Sequence, residues 1–427
     1  MDYGNLEQYS YEDAIVTAGK IFEALVGHDG KVFVELMAIQ SRSPAGGEMG
    51  NKQRSWPTNL MLRRVLDLVL LMERDDLVGA ILTAFHAAAS EGGDTAHMLL
   101  SLGRLEQAAR TVQKIVESAG LLSMKKPLLL AQLRQVLEDP PETASLLIID
   151  EHGHHVLQRV ARLYLADGPA AVCSDVQQRC GQYLVDYLLG NVESFACDKH
   201  GCCYLQRVHS LASEAQRDQI RAELEPNLAH VVSHMYGNYV IQNLIQFGDK
   251  AEWTGVVVDA LLPDLRHHCC NRHGSNVIEL CLQYGDGKAV RALVGGLGRG
   301  CQIAEIFADS FGNYVVQRAM HVCVTYIDNF MSNSSSYADN CESLLHGESL
   351  LHGESLLYEE SLRLLVAALT PIMLSFLRYE RTQQKGSARA IAVAQKIGKK
   401  YAKHFPSSVK VCVQNSDRRD TSWNNNS

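Results

Sequence analysis

The residues best suited to bind another molecule are pairs of small or hydrogen-bonding side chains four positions apart. Asn238 and Gln242 form one such pair, and Tyr239 stands beside them. Residues four apart lie on one face of an α-helix, separated by one turn. Polar groups of this kind bind the edge of an unpaired base, and a flat side chain stacks on its face. The pattern therefore suits single-stranded nucleic acid.

The arrangement occurs in four consecutive segments, DKHGCCYLQRV, MYGNYVIQNLI, RHGSNVIELCL and SFGNYVVQRAM. In each segment, the residue after the glycine is called the first place, and the second and fifth places are counted from it. The occupants of these three places, in chain order, are Cys202, Cys203 and Gln206; Asn238, Tyr239 and Gln242; Ser275, Asn276 and Glu279; and Asn313, Tyr314 and Gln317. Successive first places are 36, 37 and 38 residues apart. Repetition at this period predicts a stacked helical solenoid.

These motifs resemble those of the Pumilio (PUF-repeat) family of RNA-binding proteins, in a divergent plant-type form. The resemblance implies an all-α, right-handed curved α-solenoid of about eight PUF repeats with terminal capping helices. It also implies that the first and fifth places contact a base edge while the second stacks between bases. By that rule the two Asn–Gln pairs read uracil, Ser275 with Glu279 reads guanine, and Cys202 with Gln206 reads adenine. The family binds RNA antiparallel to the protein, so the four segments imply 5′-UGUA-3′.

Four weaker copies of the motif precede these, which brings the number to eight, as is usual in the family. The first places of copies one to eight are Lys31, Asn59, Ala109, His154, Cys202, Asn238, Ser275 and Asn313. The sequence leaves open whether copies one and two contact RNA.

Copies three and four keep a recognisable set of residues. In copy three, Arg110 and Gln113 fill the second and fifth places, and the guanidinium group of an arginine stacks on bases. In copy four, the three places hold His154, His155 and Gln158. His155 offers a flat ring for stacking. His154 stands where the family usually has asparagine, so the resemblance leaves the base at copy four open.

The predicted domain organisation has five parts. These are an N-terminal segment or cap (1–20), PUF repeats (21–328, well formed over 197–328), a low-complexity insert (329–361), a C-terminal capping repeat (362–405) and a disordered tail (406–427). The insert repeats ESLLHG at Glu342 and Glu348, and its polar, serine-rich composition predicts a mobile loop. The capping repeat resembles the region that seals the last apolar face in the family.

The composition indicates an intracellular protein. The chain has 427 residues, 46% of them hydrophobic, and 12 cysteines without the spacing of a disulfide framework. No continuous apolar run reaches about 18 residues, and the N-terminus has no secretory profile. We expect a cytoplasmic location, with the nucleolus as the alternative. The net charge of −8 is unusual for a nucleic-acid binder, although a basic cluster runs from Arg378 to Lys403.

Two groups of residues resemble reactive or metal-binding sites. The segment from His267 to His273, HHCCNRH, has the residue types of a zinc site, but its ligands are adjacent instead of spaced for one tetrahedral ion. Cys202 and Cys203 with His200 could form a nucleophile and base, but their place in the repeat favours contact with RNA. We therefore expect no metal, no cofactor and no enzymatic activity.

The favoured function is sequence-specific binding of single-stranded RNA through a UGUA element in the 3′ untranslated regions of messenger RNA. The resemblance implies a monomer that recruits proteins of mRNA decay or translational repression. Two alternatives remain, a relaxed PUF-like binder of ribosomal RNA in the nucleolus and a helical-repeat scaffold for proteins.

Overall fold

The computed structural model describes residues 20–24, 33, 36–37, 50–90, 102–123, 129, 132, 141–165, 181–299, 302–337, 345–378 and 385–424. Within these ranges the regular secondary structure is helical, which confirms the predicted all-α fold of helical repeats. The three places of copy one (Lys31, Val32 and Glu35) lie outside the described residues, and the side chain of Asn59 is not described either. The chain forms two compact units, Met1–Leu224 and Glu225–Ser427.

Unit 1 is a stack of helices in chain order. The helices are α1 (Gly50–Leu71), α2 (Asp75–Ser90), α3 (Glu106–Ser123), α4 (Pro141–Ile148), α5 (Gly153–Tyr164), α6 (Val192–Ala196), α7 (Gly201–Leu211) and α8 (Glu214–Leu224), and residues 181–186 are helical as well. Helices α1, α3, α5 and α7 carry copies two to five, and each packs on the next. Unit 1 therefore brings the motif-bearing helices side by side.

Unit 2 continues the same pattern. Its helices are α9 (Leu228–Ser233), α10 (Gly237–Phe247), α11 (Lys250–Leu261), α12 (Leu265–Cys270), α13 (Gly274–Tyr284), α14 (Gly287–Leu297), α15 (Gln302–Ala308), α16 (Gly312–Tyr337), α17 (Leu345–Arg378), α18 (Lys385–Lys400) and α19 (Ser407–Asn424), with 3-10 turns at Glu225–Asn227, Leu262–Asp264 and Ala402–His404. Copies six, seven and eight lie on α10, α13 and α16, which pack in that order. Helices α17 and α18 pack next to α16.

Each motif-bearing helix buries one apolar stripe. In α10 the buried apolar residues are Val240, Ile241, Leu244 and Ile245, which recur at the spacing of a helix face. The glycine that begins the helix is required by close packing. A Cβ atom on Gly237 would lie 2.5 Å from the carbonyl oxygen of Val231, and one on Gly312 would lie 2.6 Å from that of Ile306. Only glycine allows the helix start to approach the preceding short helix so closely.

The low-complexity insert, which the sequence predicted to be a mobile loop, is helical where the structure describes it, at residues 329–337 and 345–361. Helix α17 begins at Leu345, and its residues Ser355, Tyr358 and Leu362 are buried at helical spacing. The Tyr358 ring stacks on Tyr326 with centroids 3.9 Å apart. Composition misled the prediction because the ESLL repeats, although serine-rich, consist largely of good helix formers with apolar residues on one side.

The predicted disordered tail is also helical through most of its length. In α19, Val409 and Val413 are 0% and 5% exposed. Both side chains pack near Gly398 of α18. The segment SSVKVCVQN spans too few helical turns for its apolar period to be recognised from sequence. Its burial depends on contact with α18, which the local sequence does not reveal.

One segment of α17, Ser355–Leu377, is long and apolar enough to span a membrane by length and composition alone. The sequence prediction did not single it out. In unit 2 the segment packs on α14 and α16, with Leu365, Leu369 and Met373 buried. A core helix of a folded repeat protein meets the same criterion.

Candidate nucleic-acid interface

The three motif places have three distinct environments, and copies three to eight share them. First-place side chains are buried, with between 1% and 4% of their surface exposed, in Ala109, His154, Cys202, Asn238, Ser275 and Asn313. Fifth-place side chains are half-buried, in Gln113, Gln158, Gln206, Gln242, Glu279 and Gln317. Second-place side chains are exposed, in Arg110, His155, Cys203, Tyr239, Asn276 and Tyr314. Each copy thus has a buried support, a partly exposed polar edge and an exposed side chain suited to stacking.

A capping residue four positions before the first place holds the start of each motif-bearing helix from copy four onward. The Oδ1 atom of Asp309 accepts hydrogen bonds from the backbone N–H groups of Phe311 and Gly312, at 2.8 and 2.9 Å. The equivalent acceptors in copies four, five, six and seven are Asp150, Asp198, His234 and Asn271. Asp and Asn side chains commonly accept hydrogen bonds from backbone N–H groups two and three residues further along the chain. The sequence analysis missed these residues, although a polar residue at a constant offset before the glycine would have revealed them.

In copy six the asparagine fixes the orientation of the glutamine. The Nδ2 group of Asn238 donates to the carbonyl oxygens of His234 and Met235, at 2.9 and 3.0 Å. Because those carbonyls only accept, the Oδ1 atom of Asn238 remains as an acceptor, and Gln242 Nε2 donates to it at 2.7 Å. The Oε1 atom of Gln242 is thereby directed away from Asn238 as an acceptor for a ligand.

Copy eight has the same network. Asn313 Nδ2 donates to the carbonyls of Asp309 and Ser310 at 2.8 and 3.1 Å, and Gln317 Nε2 donates to Asn313 Oδ1 at 2.8 Å. The sequence predicted that both places contact a base. In the structure the buried asparagine holds the glutamine, which offers the more accessible edge, and contact of either place with a base stays a prediction.

Copy seven presents a carboxylate in place of an amide. Arg318 Nε donates to Glu279 Oε2 at 3.4 Å. Burial raises the pKa of Glu279, and the positive charge of Arg318 opposes that shift. The guanidinium group therefore helps to keep a half-buried carboxylate ionised, with oxygens available as acceptors.

Copy five has two sulfur atoms in contact. The Sγ atoms of Cys202 and Cys203 are 3.9 Å apart, and Cys202 Sγ also lies 3.3 Å from the carbonyl oxygen of Lys199. The hydrogen bond between the thiols, followed by burial, raises the pKa of Cys202, and the same bond lowers the pKa of the exposed Cys203. Cys203, the exposed thiol of the pair, is therefore the one that ionises more readily.

We expect iodoacetamide to alkylate Cys203 faster than Cys270 near neutral pH, because burial raises the pKa of Cys270 to about 11. Peptide mass spectrometry of the intact protein after timed labelling measures both rates. If the second place lies against RNA, a UGUA-containing RNA slows labelling of Cys203 and leaves Cys270 unchanged. Equal rates at the two cysteines would contradict the assigned reactivity, and equal labelling with and without RNA would contradict the contact.

Positive charge is concentrated beside copy eight in unit 2. A cavity of about 190 Å³ lies next to Tyr314 and Gln317 and is lined by Arg318, His321, Lys396 and Lys400, among others. Burial and the charges of Lys400 and Arg318 lower the pKa of His321. The basic cluster predicted from sequence therefore contributes two lysines to the motif face. Lys403 of the same cluster is paired with Asp328 at 2.8 Å.

Copies two and three bring a second group of positive side chains together in unit 1. Arg63 occupies the fifth place of copy two, and its pKa is lowered by burial and by the charges of Arg110 and Arg64. The exposed side chain of Arg110 lies at the second place of copy three. Among the described residues, no group of three His, Cys, Asp or Glu side chains is placed to hold a metal ion.

Comparison with known proteins gives a consistent result. A model of the Pumilio-family RNA binding repeat matches residues 145–160, 191–225, 227–254, 269–296 and 308–325, which contain copies four to eight. Pumilio homolog 12 of Arabidopsis thaliana is 25% identical over 249 residues, covering 57% of this chain and 38% of the relative. The Pumilio domain-containing protein C6G9.14 of Schizosaccharomyces pombe is 27% identical over 175 residues, covering 41% and 24%. The alignments thus span well under half of either relative.

Solved structures share the fold. The crystal structure of PUF-8 in complex with PBE-RNA superimposes with a TM-score of 0.55 at 19% identity, covering 89% of this chain and 94% of that one. The Puf4 RNA binding domain bound to the HO endonuclease RNA 3′ UTR recognition sequence gives 0.51 at 19% identity, covering 79% and 84%. The chain therefore contains Pumilio-family RNA binding repeats between residues 145 and 325, and its fold is similar to that of the solved PUF domains.

Proposed function

We propose that this protein binds single-stranded RNA through a UGUA element in 3′ untranslated regions of messenger RNA and thereby regulates translation and mRNA stability. The observation that carries the proposal is the fixed polar edge beside an exposed stacking side chain in copies six to eight. The protein acts in the cytoplasm, where proteins of mRNA decay or translational repression are its proposed partners.

The chemistry of the fixed glutamines favours uracil. The Watson–Crick edge of uracil has one donor, N3–H, between two acceptors, O2 and O4. In copy six, Gln242 Oε1 accepts from N3–H, and the remaining Nε2 hydrogen donates to a carbonyl oxygen of the base. Tyr239, whose residue surface is 56% exposed, stacks on the base and contributes about 1–3 kcal/mol.

The carboxylate of copy seven favours guanine for the opposite reason. Guanine presents two neighbouring donors, N1–H and N2–H, which match the two acceptor oxygens of Glu279. The ion pair with Arg318 holds that carboxylate in its charged form. Adenine, uracil and cytosine place a lone pair or only one donor where guanine has two, so each leaves a carboxylate oxygen unsatisfied.

A relaxed RNA binder, for example of ribosomal RNA in the nucleolus, is the second candidate. One observation favours it: the family-model matches begin at residue 145, after copies one to three. A protein that reads few bases with few repeats selects its targets less strictly.

Selection of RNA from a random pool by the purified chain separates these candidates. Sequencing of the retained RNA is expected to yield UGUA, and the length of the enriched motif downstream counts the N-terminal copies that read bases. RNA retained without a common motif would support the relaxed binder. Failure to retain RNA at physiological salt would leave the protein scaffold as the remaining hypothesis.

We expect the Lys396→Ala, Lys400→Ala double variant to bind RNA less tightly and with a weaker salt dependence. The slope of log K against log salt for single strands changes by about 0.7 for each neutralised phosphate. If both lysines contact phosphates, the slope falls by about 1.4. Lys403→Ala is the matched control because Lys403 is paired with Asp328. An identical slope for the double variant and wild type would exclude phosphate contacts by these lysines.

A further inference from the structure

Copy four contains a histidine that makes the hydrogen bond that asparagine makes in two other copies. His154 Nδ1 lies 2.8 Å from the carbonyl oxygen of Asp150, four residues earlier. Asn238 and Asn313 bind the carbonyls four residues earlier at 2.9 and 2.8 Å. All three side chains are at most 4% exposed. His154 is therefore held in the same way as the asparagines.

This bond determines the tautomer of the neutral imidazole. A carbonyl oxygen only accepts, so Nδ1 of His154 carries the hydrogen. The Nε2 atom of the neutral ring is then an acceptor. In the asparagine copies, the corresponding acceptor is Oδ1, which takes a hydrogen from the glutamine one turn further on. Copy four also has a half-buried glutamine at that position, Gln158.

We propose that neutral His154 substitutes for asparagine by orienting Gln158, so that copy four reads uracil as the fifth base after UGUA, and that protonation of His154 abolishes this preference. The inference rests on the proposed RNA binding. It assigns a base to the one well-matched copy whose first place departs from the family motif, and it makes that assignment dependent on pH.

The surroundings of His154 keep the ring neutral near physiological pH. Burial lowers its pKa, and so do the charges of His155 and His200, whose ring centroids lie 3.9 and 4.9 Å away. The hydrogen bond to the Asp150 backbone and the Asp150 carboxylate oppose that shift. The carboxylate is shared among the N–H groups of His152 and Gly153 and the Arg104 side chain.

Two further positive groups, His152 and Arg159, act on the neighbouring His155. Arg159, on the same helix as His154, binds Glu117 of the packed helix α3 at 2.9 Å. Because the pKa of His154 is lowered, the neutral form persists at neutral pH, and the charged form appears only as the medium becomes acidic.

In the proposed arrangement Gln158 Nε2 donates to His154 Nε2, and protonation of His154 reverses that hydrogen bond. The imidazolium Nε2–H is a donor, so Gln158 turns its Oε1 atom toward the ring and its NH2 group toward the ligand. A base then meets two donors and no acceptor. Uracil loses the partner of its N3–H group, whereas cytosine offers two neighbouring acceptors, N3 and O2. The ratio of affinities for uracil over cytosine therefore falls.

Competition binding with the full chain tests this inference. The probes are four RNAs that contain UGUAN in one constant background, where N is U, C, A or G, at about pH 7.5 and at about pH 4.5, which is about two units below the ordinary pKa of histidine. We expect wild type to prefer U near pH 7.5 by about tenfold and to lose most of the preference for U over C at the lower pH. His154→Asn is expected to prefer U at both values, because an asparagine side chain does not titrate.

Other histidines also change charge in this range, but their effect on overall affinity cancels in the ratio between two bases at one position. Absence of a preference for U near pH 7.5, with selection of the first four bases intact, would overturn the inference. A preference for U over C that is unchanged by pH in wild type would also overturn it, even if His154→Asn failed to fold. Loss of selection at all five bases would refute the proposed function itself.

Discussion

Replacing Asn238 with Ser and Gln242 with Glu is expected to change the third base of the preferred element from U to G. The new pair has the residue types of copy seven, in which a carboxylate faces the two donors of guanine. Competition binding with UGUA and UGGA RNAs measures the change. We expect the ratio of the two affinities to move by about a hundredfold in total, since a good bidentate contact discriminates by about 1–3 kcal/mol.

The structure also predicts what limits this exchange. Glu279 is paired with Arg318, which occupies the sixth place of the following copy. In copy seven, which follows copy six, the sixth place is Leu280. A carboxylate at position 242 therefore has no arginine partner and is protonated more readily. Adding Leu280→Arg is therefore expected to strengthen the preference for G.

The same pair of substitutions at Asn313 and Gln317 provides the matched control. It is expected to change the first base and to leave the third as U. If the copy-six variant binds RNA but keeps U at the third base, the base assignment of the copies is wrong. If both variants change the same base, the antiparallel order is wrong.

Replacing Val409 and Val413 with Ala is expected to destabilise unit 2 by about 4 kcal/mol in free energy of unfolding. Each change removes two methyl groups from a buried site at about 0.8 kcal/mol apiece, and the cavity adds to that cost. Chemical denaturation followed by circular dichroism measures the change.

Val411→Ala is the matched control, because 53% of the surface of Val411 is exposed on the same helix. It is expected to change the unfolding free energy by less than about 0.5 kcal/mol. If the double variant also changed the unfolding free energy by less than about 0.5 kcal/mol, α19 would not contribute to the core, in agreement with the predicted disordered tail.

The motif-bearing helices could be predicted from sequence because their signal is repeated. The same local pattern, a glycine followed by Asn-Tyr and an apolar stripe, occurs at Gly237 and at Gly312. Its regular period indicates that both segments belong to one repeat architecture. Helices α17 and α19 lack that support. Their burial depends on partners distant in sequence, such as Gly398 for Val413, and no local pattern contains that information.

The candidate site, like the fold, could be predicted from the sequence only in part. The residue types at the three places were evident, but the division of roles between them was not. The roles depend on hydrogen bonds to backbone carbonyl oxygens, such as those of His234 and Asp150. Every residue type has such a carbonyl group, so the sequence does not reveal which ones are used. The likeness of His154 to asparagine is visible only when the hydrogen bonds are known.

The orientation of Gln242 and Gln317 by buried asparagines has a consequence for the choice of target. The amide edges are set before any ligand arrives, so the protein loses little conformational freedom on binding, and the main entropic cost falls on the RNA. If the proposed UGUA element lies within a stable hairpin, it must first unpair, and the free energy of unpairing is subtracted from the binding free energy. The protein would thus respond to the accessibility of an element as well as to its sequence, and remodelling of RNA secondary structure would regulate its binding.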